Sequence, residues 1–165
     1  MKRIPLTHGL VALVDDTDYE DLRQFKWYTK KKKHTSYATR KTTKGTFELM
    51  HRRILDIQSK EQVDHRDRNG LNCQRKNLRI CTARQNTWNR GKFRGSSKFK
   101  GVCWQKQSKK WQAHIRYFGK LIYLGLFIDE VSGATAYDLK AKELFGEFAN
   151  LNFPHSSHLL KSHIP

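Results

Sequence analysis

The chain is short of acidic residues, of paired cysteines and of long apolar runs, and each shortage removes a class of protein. Only 15 residues are acidic against 33 lysines and arginines, a formal net charge of +18 over 165 residues. An imbalance of that size implies a polyanionic partner rather than a generic soluble enzyme. The three cysteines, Cys73, Cys81 and Cys103, are isolated, with no Cys-x-x-Cys. Neither a disulfide framework nor a cysteine-based zinc site is supported, and all three are expected to be reduced and structural. No run approaches the roughly 20 apolar residues that span a bilayer, and no charged start leads into an apolar signal segment. The expectation is an intracellular protein with no membrane association, and no internal repeat is visible.

What is present is positive charge spread along the whole length. Thirteen basic and seven acidic residues lie in 1–58, ten and three in 59–95, and ten and five in 96–165. Lys30 to Lys33, taken alone, reads as a solvated surface or a localisation signal. Trp27, Trp88, Trp104, Trp111 and many Phe and Tyr residues supply the apolar mass that disordered polycations lack. With 37% hydrophobic residues, two compact modules fit the composition better than one large core.

The N-terminal part reads as short strands at 10–14, 26–29, 37–40 and 46–50, apolar or β-branched runs bounded by polar turns. A brief helix is expected at 18–24 and another at 51–57, whose Ile54, Leu55 and Ile57 suit packing on those strands. Residues 90–97 are basic and rich in small side chains, so they read as a linker. Beyond them Trp111, Ala113, Ile115 and Tyr117 alternate with Lys110, Gln112, His114 and Arg116, the pattern of a half-buried strand. A second strand at 120–124 follows a turn at Phe118-Gly119, giving an antiparallel hairpin. Asp129 then reads as the N-cap of a helix from Glu130 to about Phe145, with Gly146 as its stop. A small sheet crossed by one helix leaves Lys110, Gln112, His114, Arg116, Leu121 and Tyr123 as a basic, partly aromatic platform.

Residues 63–90 carry the densest chemistry. Asp64 and His65 are adjacent, Asn77 follows His65 by twelve residues, and Asn86 follows Asn77 by nine. The stretch reads as strand, loop, strand, helix. Thr82-Ala-Arg-Gln85 is a capping-box signature, which starts the helix at Ala83 and lets Asn86 face the preceding hairpin. Hydrolysis of a phosphodiester needs a base for water and a cation for the charge on the phosphate and the leaving oxygen. Asp64, His65 and Asn86 can supply both. A carboxylate and an amide oxygen are hard donors suited to Mg²⁺ or Mn²⁺, which keeps waters and borrows phosphate oxygens, so two protein ligands suffice. Taken singly, Asn caps turns and a lone His is a surface or core residue; the joint pattern carries the reading. Asp67-Arg68-Asn69-Gly70 reads as a turn, and Asn72 and Asn89 are alternative amide ligands for a helix register shifted by a turn. A zinc site lacks the ligands it would need.

These residues resemble the HNH homing endonucleases of the phage and intron-encoded type, which pair an Asp-His at the end of the first strand with one Asn in the loop and another on the helix. Met50-His51-Arg52-Arg53-Ile54-Leu55 is similar to that family's His-Arg-Leu-type lead-in. The resemblance implies a ββα-metal nuclease core at about 62–90, with His65 as general base, Asp64 and Asn86 as metal ligands, and Asn77 as the brace that orients His65. His51 and Arg52 are accessory candidates that either approach the scissile phosphate or anchor their helix against the hairpin. The implied products are a 5′-phosphate and a 3′-hydroxyl, made by nicking.

Residues 98–154 resemble the plant Apetala or ethylene-response-factor DNA-binding domain. The matching residues are Phe99-Lys-Gly-Val102, Trp111-Gln-Ala-His-Ile-Arg116, Tyr123-Leu-Gly125, Ala136-Tyr-Asp138 and Leu151-Asn-Phe-Pro154. In that family a three-stranded sheet, not the helix, enters the major groove, which implies Lys100, Arg116 and Tyr123 as DNA contacts, with His114 on the same platform. Cys103, Gln105 and Leu121 stand where that family favours arginines.

The expected fold is α+β: short N-terminal strands lead into a ββα-metal module, followed by a three-stranded antiparallel sheet packed on one helix. The expected domains are 1–90, a linker at 91–97, a DNA-binding domain at 98–154 and a tail at 155–165. The expected activity is site-directed, divalent-metal-dependent cutting of double-stranded DNA by a monomer, in the cytoplasm or nucleoid of a bacterial or phage-infected host. The alternative is a catalytically inactive, sequence-specific DNA-binding regulator.

Overall fold

A computed structural model describes residues 1–57, 60–92 and 95–154. Residues 93–94 of the expected linker and the whole 155–165 tail lie outside the described residues. The fold is mixed α and β, with several small sheets and few helices, and it divides into two compact units, Met1–Thr87 and Trp88–Pro165.

The first unit opens with β1 (Lys2–Pro5), β2 (Val11–Val14) and α1 (Asp16–Leu22), then β3 (Tyr28–Lys31), β4 (Ser36–Lys41), β5 (Phe47–Leu49) and α2 (Met50–Ile54). It closes with β6 (Gln62–His65), β7 (Leu78–Cys81) and most of α3 (Ala83–Trp88). β1 and β2 form one hairpin, β3, β4 and β5 a meander, and β6 and β7 a second hairpin, all antiparallel. β1 is too short, and too broken by Pro5, to stand out in the sequence; it forms because Ile4 buries opposite Ala12. α1 begins two residues before its expected start, and β3 lies two residues beyond its expected position. Lys30 and Lys31 therefore sit on a strand, where both are exposed. The core gathers Ile4, Ala12, Val14, Leu22, Trp27, Ala38, Met50, Ile54, Cys73 and Leu78. It draws on every strand group, so the β6–β7 hairpin is packed into the unit rather than appended to it.

Two long-range ties fix the loop between β6 and β7. Its backbone docks along β2, where the Leu13 amide donates to the Leu71 carbonyl and the Cys73 amide to the Leu13 carbonyl, both at 2.8 Å. At α1, the Asp15 carboxylate accepts from Gln74 Nε2 (3.1 Å) and the Arg75 amide (2.8 Å), while Asp18 pairs with the Arg75 guanidinium at 2.7 Å. The N-terminal strands thus act as a brace for that loop. Gly70 lets the loop pass β4: a Cβ there would lie 2.5 Å from the Ser36 carbonyl oxygen and 2.6 Å from the Tyr37 ring. No side chain fits that approach.

The second unit contains β8 (Val102–Gln105), β9 (Lys110–Tyr117), β10 (Lys120–Phe127) and α4 (Glu130–Phe145). The sheet order is β10-β9-β8, antiparallel throughout, with a bulge between Tyr123 and Gly125. Phe118 and Gly119 both take positive φ, 48° and 81°, as a two-residue type I′ hairpin requires. Asp129 caps α4 by accepting from the Ser132 amide at 2.7 Å, and Gly146 ends it at φ 53°. Ile115, Tyr137, Ala141 and Phe145 form the core, with Trp88 stacked on Phe145 at 4.8 Å between centroids. Ser97 is buried and donates to the Glu130 carboxylate at 2.6 Å, so the end of the expected linker is part of this unit's folded structure. Among the described residues no helix is long and apolar enough to cross a membrane.

Candidate functional site

The reciprocal capping box forms at the start of α3. The Thr82 amide donates to Gln85 Oε1 at 2.9 Å and the Gln85 amide to Thr82 Oγ1 at 3.2 Å. This sets the helix register from Ala83 and turns Asn86 toward the hairpin, where its Nδ2 donates to Gln62 Oε1 at 2.8 Å. Gln62 and Asp64 are two residues apart on β6 and share a face, because strand side chains alternate. Asn86 therefore reaches the face that carries Asp64. One amide N–H donates to Gln62, and the carbonyl oxygen is the atom Asn86 can offer a cation.

Asp64 is buried, and its partner is a residue the sequence did not single out. Arg79 lies directly opposite it on β7 and donates through Nε at 2.8 Å and Nη2 at 2.5 Å, both to Oδ2. The two side chains are only 5% and 7% exposed, Asp64 and Arg79 respectively. Nothing local in the sequence marks Arg79 among so many basic residues; only the hairpin register selects it.

His65, the next residue, leaves the strand on the other face. Its ring lies 4.9 Å from that of His51 and 5.7 Å from that of Tyr37, centroid to centroid. Asp64 and His65 are thus side by side along the chain but engaged on opposite faces of the strand end. Burial lowers the His65 pKa to about 4, against the raising influence of Asp67 and Asp64. Burial also lowers His51 to about 3, helped by His65 and Arg52. Both rings are neutral at pH 7, and a neutral imidazole is the form that accepts a proton. Tyr37, half-buried and missed by sequence reasoning, has its phenol held above the usual range by burial and by Asp64.

Asn77 holds the intervening loop with both ends of its amide. Nδ2 donates to Asp67 Oδ1 (2.9 Å) and the Asn72 carbonyl (2.8 Å), while Oδ1 accepts from the Asp67 amide at 3.0 Å. The Asn77 carbonyl also accepts from the Arg66 amide at 2.9 Å, one residue beyond His65. Asn72 is committed to this loop through Asp67 at 2.7 Å. Arg52 donates to the Glu61 carbonyl at 2.8 Å and the Ile57 carbonyl at 3.2 Å, tying α2 to the chain entering β6. The buried thiols are pushed up, Cys81 to about 11, which suits a structural role. Among the described residues no three His, Cys, Asp or Glu side chains gather as a metal cluster.

In the second unit, cross-strand pairing sets Leu121 opposite Arg116 and Tyr123 opposite His114 on the sheet face away from Ile115. Arg116, Leu121 and Tyr123 are exposed there, and His114 is half-buried. Lys100 differs from its expected outward role: its ammonium donates to the Trp88 and Arg90 carbonyls, each at 2.8 Å. A side chain so committed supports the turn before β8.

The HNH endonuclease family model matches residues 56–87, the span of the β6–β7 hairpin and α3. An HNH endonuclease of Acanthamoeba polyphaga mimivirus is 34% identical over 147 residues, covering 87% of this chain and 75% of its own. The chain belongs to the HNH endonuclease family. Part of this HNH endonuclease is also similar to plant transcription factors. An AP2-like ethylene-responsive factor of Arabidopsis thaliana is 38% identical over 64 residues, 39% of this chain and 13% of its own. An ethylene-responsive factor of the same plant is 43% identical over 60 residues, 35% and 33% of the two chains. No solved structure matches. The HNH endonuclease membership and the plant-factor similarity together imply DNA as the partner and endonuclease activity on it.

Nucleases of this family generally use a metal. A carboxylate and an amide oxygen are hard donors of the kind a divalent cation takes, and Asn86 meets β6 through Gln62 on the strand face that carries Asp64. Zinc sites use three or four Cys, His or carboxylate ligands, and no such group gathers among the described residues.

Proposed function

We propose that this HNH endonuclease is site-directed and homing-endonuclease-like, nicking double-stranded DNA with His65 as general base and a divalent cation, Mg²⁺ or Mn²⁺, held by Asp64 and Asn86. The observation that carries this reading is the Asn86–Gln62 hydrogen bond, which brings the helix amide to the strand face that bears Asp64. His65, neutral through burial, takes the proton of the attacking water as the oxygen–phosphorus bond forms and the bond to the 3′ oxygen breaks. A cation at Asp64 and Asn86 would supply charge stabilisation to the phosphate and the leaving oxygen. Asn77 keeps the loop beside His65 in register, and His51 and Tyr37 pack the imidazole in place. The second unit supplies the address through Arg116, Tyr123 and His114 on its sheet face.

A DNA-binding regulator without catalysis is the competing reading, and the buried Arg79–Asp64 pair favours it, since the carboxylate is already neutralised. Supercoiled plasmid with Mg²⁺ separates the two. Wild type should yield open circles while His65→Ala and Asp64→Ala do not; identical behaviour of all three would overturn the enzyme reading.

A further inference from the structure

The Arg79–Asp64 pair sits where the proposed cation must bind. The two residues are register partners on the hairpin, and the Arg79 guanidinium donates to the Asp64 carboxylate through Nε and Nη2. Because the side chains are 7% and 5% exposed, water and salt screen the pair little. Breaking such a pair leaves a buried charge uncompensated, so the guanidinium stays with its carboxylate when a cation arrives. The other proposed ligand, Asn86, is a neutral amide. Segment 59–95, which holds the site, carries ten basic residues and three acidic ones. A cation entering the DNA-free protein meets a carboxylate whose charge is already spent, in a positive field.

We propose that Arg79 is a positioning residue that holds Asp64 in place and, by neutralising it, keeps divalent-cation affinity low until the DNA phosphates complete the site. The proposal rests on the reading of Asp64 as a metal ligand. Its consequence is linkage: if DNA raises cation affinity by some factor, the cation raises DNA affinity by the same factor. The protein then assembles its catalytic centre on the duplex rather than carrying a loaded one in solution.

The test is Mn²⁺ binding to the full chain without DNA, read from the loss of the free-ion electron paramagnetic resonance signal. Arg79→Gln keeps a donor to the carboxylate but removes the charge, and should tighten Mn²⁺ binding roughly tenfold, as expected for deleting one nearby positive charge. Arg79→Lys keeps the charge and should leave binding near wild type. In the His65→Ala background, where DNA stays intact, added duplex should tighten Mn²⁺ binding more in the Arg79 protein than in the Arg79→Gln protein. A purely structural role predicts the opposite sign, because a loosened Asp64 binds worse. Unchanged or weakened Mn²⁺ affinity in Arg79→Gln, with circular dichroism matching wild type, overturns the proposal. Where Arg79→Gln does not fold, Arg79→Lys together with the DNA effect on the Arg79 protein decides: absence of any DNA-linked tightening overturns it. Asp64→Asn in both backgrounds reports separately on the underlying reading. If Mn²⁺ binding ignores that change, Asp64 is not a ligand; if it vanishes while Arg79→Gln has no effect, only the role of Arg79 fails.

Discussion

The rings of His51 and His65 meet edge to face, 4.9 Å between centroids at an interplanar angle of 88°, with Tyr37 against both. The contact joins α2 to the end of β6, so the His-Arg lead-in and the Asp-His motif are parts of one packed cluster. Both rings are held uncharged by burial, which makes the cluster sensitive to acid.

That sensitivity has a definite sign. In the unfolded chain both histidines titrate near 6.5, whereas the folded values are about 4 for His65 and about 3 for His51. The unfolded chain takes up protons first, so stability is full above about pH 6.5 and falls as the pH drops from there toward 4 and 3. Each ring contributes at most about 1.4 kcal/mol per pH unit. Urea midpoints should therefore decline from neutral pH to pH 5, less steeply in His51→Leu. A flat profile would contradict the buried neutral pair.

Asn77 makes three side-chain hydrogen bonds across the loop, to Asp67 twice and to Asn72 once. Asn77→Ala leaves those loop groups without their partner and should cost about 1–3 kcal/mol. Plasmid nicking should fall as well, because the same loop leads out of His65. Asn77→Ala with wild-type stability and nicking would remove its role as a brace.

Thr82 satisfies the Gln85 amide and receives the Gln85 side chain in return. Thr82→Ala should lower stability by about 1 kcal/mol, the usual worth of an N-cap. It should also weaken Mn²⁺ binding, since the cap sets the register of Asn86. Loss of stability without loss of Mn²⁺ binding would detach Asn86 from the metal site.

Gly70 offers a packing test. With a Cβ directed into the Ser36 carbonyl and the Tyr37 ring, Gly70→Ala must push β4 away from the loop. Overpacking of this kind costs about 1–3 kcal/mol. Because Tyr37 touches the His65 ring, nicking should fall further than the stability loss explains. Differential scanning calorimetry and the plasmid assay, run side by side, measure the two effects.

Recognition by the second unit predicts a salt signature. Arg116 is exposed, with Leu121 opposite it on the sheet. Arg116→Ala should weaken duplex binding and reduce the slope of log affinity against log salt by about one if it contacts phosphate. Lys100→Ala, whose ammonium is turned to backbone carbonyls, should lower thermal stability rather than that slope. The reverse pattern in fluorescence anisotropy would exchange the two roles.

Several features were readable because they depend on residues within a few positions of one another. The Thr82–Gln85 box, the Asp129 cap and Gly146 stop of α4, the Phe118-Gly119 turn and the alternation along β9 each follow from local backbone and side-chain chemistry. The spacing of Asp64, His65, Asn77 and Asn86 belongs to the same kind, since it counts residues along one hairpin and one helix.

The tertiary structure decided what those residues meet. The pairing of Asp64 with Arg79 depends on the hairpin register, and the inward turn of Lys100 on carbonyls ten and twelve residues away. The gathering of Tyr37 and His51 around His65, and the clamp of Asp15 and Asp18 on a loop 57 to 60 residues later, bring together distant stretches of chain. Composition and spacing place chemistry along a line. Only burial of a shared core, which closes the long loops between those stretches, brings Arg79 and the rings of Tyr37 and His51 to the Asp-His pair.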